Sequence, residues 1–452
     1  MLSFFVSRAL LGDGWAEQVR IEVDAQGMIV SVTPNAAAGD ATRLQGALIP
    51  AMANLHSHAF QRAMAGLTDM AGDPQDSFWT WREQMYRLVA RLTPEQVGVI
   101  ARQLYITMLK GGYTQVAEFH YLHHAPGGQP YAADEMLHHL LAAATESGIG
   151  QTLLPVLYAH AGFGGQPPAA GQRRFIQDTE GYLRQLARLE QIVRGAPLIN
   201  HGVCFHSLRA VSEPQMREVL AATDASLSVH LHIAEQQREV EECLAWSGQR
   251  PVEWLMDRFA VDGRWCLIHA THLSESEITR LARSQAVAGL CPTTEANLGD
   301  GIFPATAYLH QQGRWGIGSD SHVSLSVLEE LRWLEYAQRL RDQRRNRLHT
   351  ADNPFVGTVL YTQAAAGGAQ ACGIAAGTIA PGQRADWLLL ADNAWLGECQ
   401  SEHLLNRWIF AGEKQDIRAV YVAGQPVVVE GRHPLEEQAD AAFRQVIREL
   451  AA

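Results

Sequence analysis

The sequence contains no run of about 18 consecutive apolar residues, so no membrane-spanning helix is expected. It contains no C-x-x-C pair. Its six cysteines, Cys204, Cys243, Cys266, Cys291, Cys372 and Cys399, are scattered, which excludes a zinc knuckle or a disulfide framework and points to buried reduced thiols. Positive charge is in the minority, with 36 Lys and Arg against 48 Asp and Glu and a net charge of −12. An acidic surface of this kind argues against nucleic acid and anionic membrane as partners. Met1 to Trp15 starts apolar but lacks a basic n-region and a small-residue cleavage site, so no signal peptide is expected and the location is read as cytoplasmic. Lysine is nearly absent, with only Lys110 and Lys414. Internal repeats and low-complexity tracts are not evident. What remains is a globular composition, 47% hydrophobic and 19% charged in 452 residues, with 19 histidines.

The first 48 residues read as short strands with turns: Ser3 to Leu10, Gln18 to Val23 and Met28 to Thr33. Similar strands return late, at Asp386 to Ala391, Ile417 to Val422 and Pro426 to Glu430, before a helical stretch from Leu435 to Leu450. Strands from the two ends would cover each other's edges as one small β-sandwich. Between them, eight apolar runs alternate with helical stretches: Ala47–Leu55, Thr114–Tyr121, Gln151–His160, Leu198–Phe205, Ser226–Ile233, Trp265–Ala270, Ala286–Cys291 and Trp315–Ser319. This α/β pattern predicts a (β/α)8 TIM-type barrel over 49–372, flanked by the two parts of the sandwich at 1–48 and 373–452. A doubly wound open sheet is the competing architecture, but no G-x-G-x-x-G follows a strand here.

Seven of the eight runs end in polar, chemistry-bearing residues. They include His56-Ser-His58, His120-Tyr121, His160, His206 with Arg209 beyond it, His232-Ile-Ala-Glu235, His269 and Ser319-Asp320. In a barrel all C-terminal strand ends meet at one face, so these groups would converge. A spacing of two on a strand turns His56 and His58 to the same side. Alone, H-x-H is a weak signal, and a single histidine of this kind is more often a satisfied core residue. Jointly, three imidazoles with the Asp320 carboxylate suit a divalent transition metal, zinc first among them. His201, His230 and His272 read as core or supporting histidines. His123, His124, His138 and His139 read as structural or solvated, since adjacent positions on a helix do not face one ligand.

On these motifs, and on the late stretch Gly373 to Asp386, the chain resembles the amidohydrolase superfamily over nearly its whole length. The resemblance implies one divalent metal on His56, His58, His232 and Asp320, with Glu235, His269 and Asp320 sharing the proton transfers. Binuclear members of the superfamily carry a bridging carboxylate, usually a carbamylated lysine. Neither Lys110 nor Lys414 sits at a strand exit, so a single ion is expected; a bridging glutamate stays open as the alternative, although Glu118 falls within a strand. A homodimer is expected from the same resemblance.

Arginines near the site bear on the substrate. Arg209 follows the fourth run, and Arg82 lies in Phe78-Trp-Thr-Trp-Arg82. Guanidinium forks suit carboxylates, so a small dianionic substrate is expected. The wording around Gln61, Arg82, Tyr121, His206 and Arg209 resembles the formimidoylglutamate deiminases of histidine degradation. That resemblance implies a small dianionic amino-acid derivative as substrate, with Arg82, Tyr121 and Arg209 on its carboxylates and Gln61 and His206 near its formimino or α-carboxylate end. A metal-dependent deaminase of a purine, pyrimidine or other amidine is the alternative, and a barrel without catalysis acting as a scaffold is a third reading. Thr68 to Met85 and Gly162 to Gly171 are the two alternative candidates for a loop that closes over a substrate.

Overall fold

Strands that are apolar at every position need cover on both faces. In the computed structural model, which describes residues 1–70 and 77–451, helices supply it. The barrel strands are Met52–Ser57, Tyr113–His120, Gly150–Pro155, the pair Ile199–His201 and Val203–Ser207, Val229–Ile233, Trp265–His269, Val287–Leu290 and Arg314–Ile317. They pair in parallel, in chain order. Gly202 divides the fourth strand, so that its first half pairs with the third strand and its second half with the fifth. Single parallel bridges, Leu157 with Phe205 and Ser57 with Asp320, close the ring. At the second seam the Asp320 N–H donates to the His56 carbonyl at 3.0 Å, and the His58 N–H donates to the Asp320 carbonyl at 3.2 Å. The barrel therefore closes through residues that carry the candidate metal ligands.

Gly318 permits that approach, since a Cβ there would lie 2.7 Å from the Cβ of His56 and 2.9 Å from its backbone nitrogen. Gly318→Ala should cost about 1–3 kcal/mol by overpacking the seam. Thermal unfolding checks this, and an unchanged Tm would show that the seam yields without strain.

The helix Pro94–Lys110 shows how the sequence forms the outer layer. Thr93 accepts from the Gln96 N–H at 3.2 Å, the Gln96 side chain accepts from the Thr93 N–H at 3.2 Å, and Pro94 presets the first turn. Val97, Ile100, Ala101, Leu104 and Met108 recur at helical spacing and are fully buried. Among the described residues, no helix is long and apolar enough to cross a membrane.

Strands from both chain ends join in one seven-stranded sheet. Phe4 and Tyr421 sit on strands three ladders apart, about 14 Å in a flat sheet, yet their ring centroids are 5.8 Å apart. The sheet thus curls over its own core of Phe4, Val6, Val19, Ile21, Trp387 and Leu389. A terminal helix, Glu436–Ala451, follows.

Two of the expected runs end differently. Ala47–Leu55 is not one strand: Thr42–Pro50 belongs to the small sheet and Met52–Ser57 to the barrel. The third strand stops at Pro155, well before His160. At Pro50 the chain passes from one sheet to the other, and beyond Pro155 a last bridge joins Leu157 to Phe205. Of the segment Thr68 to Met85, residues 71–76 lie outside the described residues. Its remaining part enters the helix Phe78–Val89, which reaches the central cavity. Phe163, within Gly162 to Gly171, stacks on Trp246 instead.

Candidate active site

The strand exits turn sharply where the candidate residues sit. Ala234, His269, Ala270, Asp320 and His322 all have positive φ, between 47° and 68°. Non-glycine residues rarely adopt this region, and such strain clusters at functional sites. The turns bring His56, His58, His232 and Asp320 together. The Nε2 atoms of His56 and His232 are 3.0 Å apart, and Asp320 Oδ1 lies 3.4 Å from His56 Nε2 and 3.3 Å from His58 Nε2. His269 Nε2 lies 3.7 Å from Asp320 Oδ2 and 3.7 Å from Glu235 Oε1.

Protonation states follow from the surroundings. Burial pushes His56 down to about 3, and burial with the neighbouring imidazoles holds His232 well below its usual value. Burial lowers His58 as well. Burial alone would raise Asp320, but the His56, His269 and His58 imidazoles hold its carboxyl below the usual range. His58 Nδ1 donates to the Phe119 carbonyl at 2.8 Å and His232 Nδ1 to the His206 carbonyl at 2.9 Å. Both Nε2 atoms are thus bare lone pairs turned inward. His56 Nδ1 is buried without a partner. Neutral imidazoles beside an ionised carboxylate, with lone pairs converging, fit a divalent cation and no apolar ligand.

The proton-handling groups lie on one side of this cluster. Glu235 is buried, and that burial pushes its carboxyl up to about 7. Burial opposes charge on His269, but the Glu235, Glu295 and Asp320 carboxylates push it up to about 10. Glu295, in the helix Pro292–Leu298, accepts from the Cys291 N–H at 2.8 Å and faces His269 Nδ1 at 3.2 Å. Glu239 Oε2 accepts from the Glu235 N–H at 3.1 Å. Asn54 Oδ1 accepts from the Ser319 N–H at 3.0 Å, and its amide donates to Ser319 Oγ at 2.7 Å, tying the first strand to the last.

Beside the cluster lies a cavity. Ten of the eleven site residues read from the sequence line it: His58, Gln61, Arg82, Tyr121, His206, Arg209, His232, Glu235, His269 and Asp320. His56 alone lies just outside that lining. Arg209 is only 6% exposed, and the Nε atoms of Arg209 and Arg82 are buried without partners among the described residues. Burial and the positive charge of Arg209 keep His206 neutral. The Tyr121 hydroxyl accepts from Gln61 Nε2 at 2.8 Å, so its own proton is free to be donated inward. Phe78, Trp81, Tyr86, Tyr158 and Phe175 complete the walls.

Other candidates lie elsewhere. Glu118 points from its strand into the helix layer, where its carboxylate accepts from Ser57 Oγ at 2.6 Å, the Ala59 N–H at 2.7 Å and the Tyr105 hydroxyl at 3.1 Å. It braces the His56-Ser-His58 turn and does not reach the cluster. His230 Nε2 donates to the Ala371 carbonyl at 2.9 Å, and His123 and His124 donate to the Val156 and Ile176 carbonyls. His138 is exposed. Lys110 pairs with Glu436 of the terminal helix. The sequence reading missed Glu295, Glu239 and the Tyr86–Tyr158–Phe175 wall. A carboxylate in the first turn after a strand signals the first two, and nothing local signals the wall.

A barrel whose strand exits gather histidines and a carboxylate around one cavity defines a class, and comparison agrees. A family model described as the amidohydrolase family matches residues 47–427, and the chain belongs to that family. A model described as the N-terminal domain of formimidoylglutamate deiminase HutF matches residues 1–46. Formimidoylglutamate deiminase of Pseudomonas aeruginosa is 59% identical over 454 residues, covering 100% of both chains. A crystal structure described as an amidohydrolase from Brucella melitensis superposes with a TM-score of 0.95 at 45% identity, covering 100% of both chains. The 5-methylthioadenosine/S-adenosylhomocysteine deaminase of Natronomonas pharaonis is more distant, at 27% identity over 94% of this chain and 91% of the relative.

Proposed function

We propose that the protein hydrolyses N-formimidoyl-L-glutamate to N-formyl-L-glutamate and ammonia, a step of histidine degradation. The observation that carries this reading is the buried Arg209, whose Nε has no partner among the described residues, beside the half-buried Arg82 in the cavity that adjoins the histidine–aspartate cluster. A buried guanidinium without an acceptor is costly, and a second one at the same cavity favours a ligand with two carboxylates. The pairing of that cavity with a full-length relative of this activity supports the same substrate.

His56, His58, His232 and Asp320 would hold one divalent cation, with zinc suiting the nitrogen-rich donor set. Such a cation supplies Lewis acidity and a water acidic enough to attack near neutrality. A single ion accords with Lys110 lying at the end of an outer helix and Lys414 in a surface turn, where neither can bridge two metals. Arg82, Arg209 and Tyr121 hold the carboxylates and set the amidine carbon near the cluster. Gln61 and His206 face the remaining polar atoms of the substrate. Water adds to the amidine carbon, and the tetrahedral carbon then expels its terminal nitrogen. Glu235 accepts the proton released on attack and delivers it to that nitrogen, then relays the hydroxyl proton of the tetrahedral carbon to the same nitrogen, so that the C–N bond breaks, the hydroxyl oxygen becomes the formyl oxygen and ammonia leaves. His269, oriented by Glu295, stabilises the charge that develops beside Asp320. A cytoplasmic homodimer goes with this reading.

Arg209→Met should raise KM for N-formimidoyl-L-glutamate about 30- to 150-fold, the worth of a charge-assisted bidentate contact, with a smaller change in kcat. Steady-state kinetics checks it, and an unchanged KM would remove Arg209 from the substrate.

A further inference from the structure

Three cations gather on one indole just behind the cavity wall. The guanidinium carbon of Arg82 lies 4.5 Å from the ring centroid of Trp79, that of Arg238 lies 4.4 Å away, and that of Arg209 lies 5.8 Å away. Trp79 does not line the cavity itself, whereas its neighbours Phe78, Trp81 and Arg82 do. Trp81 packs against the barrel core. The ring contacts of Trp79 among the described residues are the three guanidinium groups and the edge of Phe78 at 5.2 Å.

We infer that Trp79 is a positioning residue that tunes the site for a substrate with two carboxylates: its indole holds Arg82 and Arg209 side by side at the cavity, and Arg238 fastens the same ring from the helix after Glu235. The inference rests on the reading that these two arginines receive the substrate. Arg82 and Arg209 face the same groups, Tyr86, Tyr158 and His206, so the two like charges share one small space. With no dianion between them they repel, and a flexible arginine would swing toward water or the nearest carboxylate. The face of an indole carries negative potential and attracts guanidinium groups without neutralising them. Held this way, the forks stay charged and their outer N–H groups stay available. Arg238 lies in the helix Gln237–Ser247, where it also pairs with Glu242 at 2.7 Å. Through the indole it links that helix to Phe78–Val89, so the element bearing Arg82 is tied to the one that follows Glu235.

A ligand with one carboxylate needs only one of the forks, whereas a dianion needs both at a fixed separation. The test compares wild type, Trp79→Leu and Trp79→Phe with N-formimidoyl-L-glutamate and with N-formimidoylglycine, which has a single carboxylate. Trp79→Leu should raise KM for the dicarboxylate about tenfold, the worth of two partly buried cation–π contacts, with kcat moving less than about threefold. The KM effect should shrink for N-formimidoylglycine, and Trp79→Phe, which keeps an aromatic face, should restore most of it. Arg238→Met should reproduce part of the KM increase. Equal KM increases for both substrates, or a fall in kcat and Tm without a KM change, would reduce Trp79 to a structural residue and overturn the inference. Wild-type inactivity on the dicarboxylate would instead overturn the functional reading on which the inference rests, and the inference with it.

Discussion

Glu235→Gln should lower kcat on N-formimidoyl-L-glutamate by a factor of about 10³ or more, while the protein still folds and still binds its metal. Glu235 is buried beside His269 and Asp320 and lines the cavity, and it is not one of the four converging donors. Losing the carboxylate removes both the acceptor for the water proton and the donor for the departing nitrogen, and general acid–base catalysis of one step is commonly worth 10²–10⁴. The pH profile gives a second readout. Burial pushes the Glu235 carboxyl up to about 7, so it is protonated below that value and cannot accept a proton there. The wild-type kcat/KM should therefore fall with decreasing pH, along a limb at or below 7, since a cation on the neighbouring donors draws the value down. In Glu235→Gln that limb should vanish from the residual activity. Near wild-type turnover in the variant would remove Glu235 from the proton path.

Stripping the protein with a chelator should abolish activity by a comparable factor, and zinc added back should restore it. Metal analysis of the restored protein should find one ion per chain. Asp320→Ala should lose both the tight ion and the activity, because its Oδ1 sits 3.4 and 3.3 Å from two of the three imidazoles. Two tightly bound ions per active chain would contradict the single-ion reading. Full activity in demonstrably metal-free protein would contradict the metal itself.

Much of the fold was legible because the barrel strands are apolar throughout and their exits are polar. His56 and His58 could be placed on one side by strand alternation alone, and His232, His269 and Asp320 stood at the ends of their runs. Other features depend on long-range contacts. Glu295 matters only because the seventh and sixth strands lie side by side, and Asn54 because the first and eighth strands meet at Gly318. His160 follows an apolar run, but the last bridge of that run is at Leu157 and His160 stays off the cavity lining. The Trp79 contacts join helices about 160 residues apart in sequence, which no local pattern reveals. Glu118 shows the converse: its place within a strand left a bridging role open, and its bonds to Ser57 and Ala59, which turn it away from the cluster, appear only in three dimensions.

The most direct measurement follows ammonia release by zinc-loaded protein from N-formimidoyl-L-glutamate, with 5-methylthioadenosine, guanine and cytosine in parallel. Rapid release from the formimidoyl compound, with no measurable release from the bases or the nucleoside, is the predicted result. Release from a base or nucleoside, with none from N-formimidoyl-L-glutamate, would leave the barrel and its metal cluster in place but contradict the assignment of Arg82 and Arg209 to a dicarboxylate.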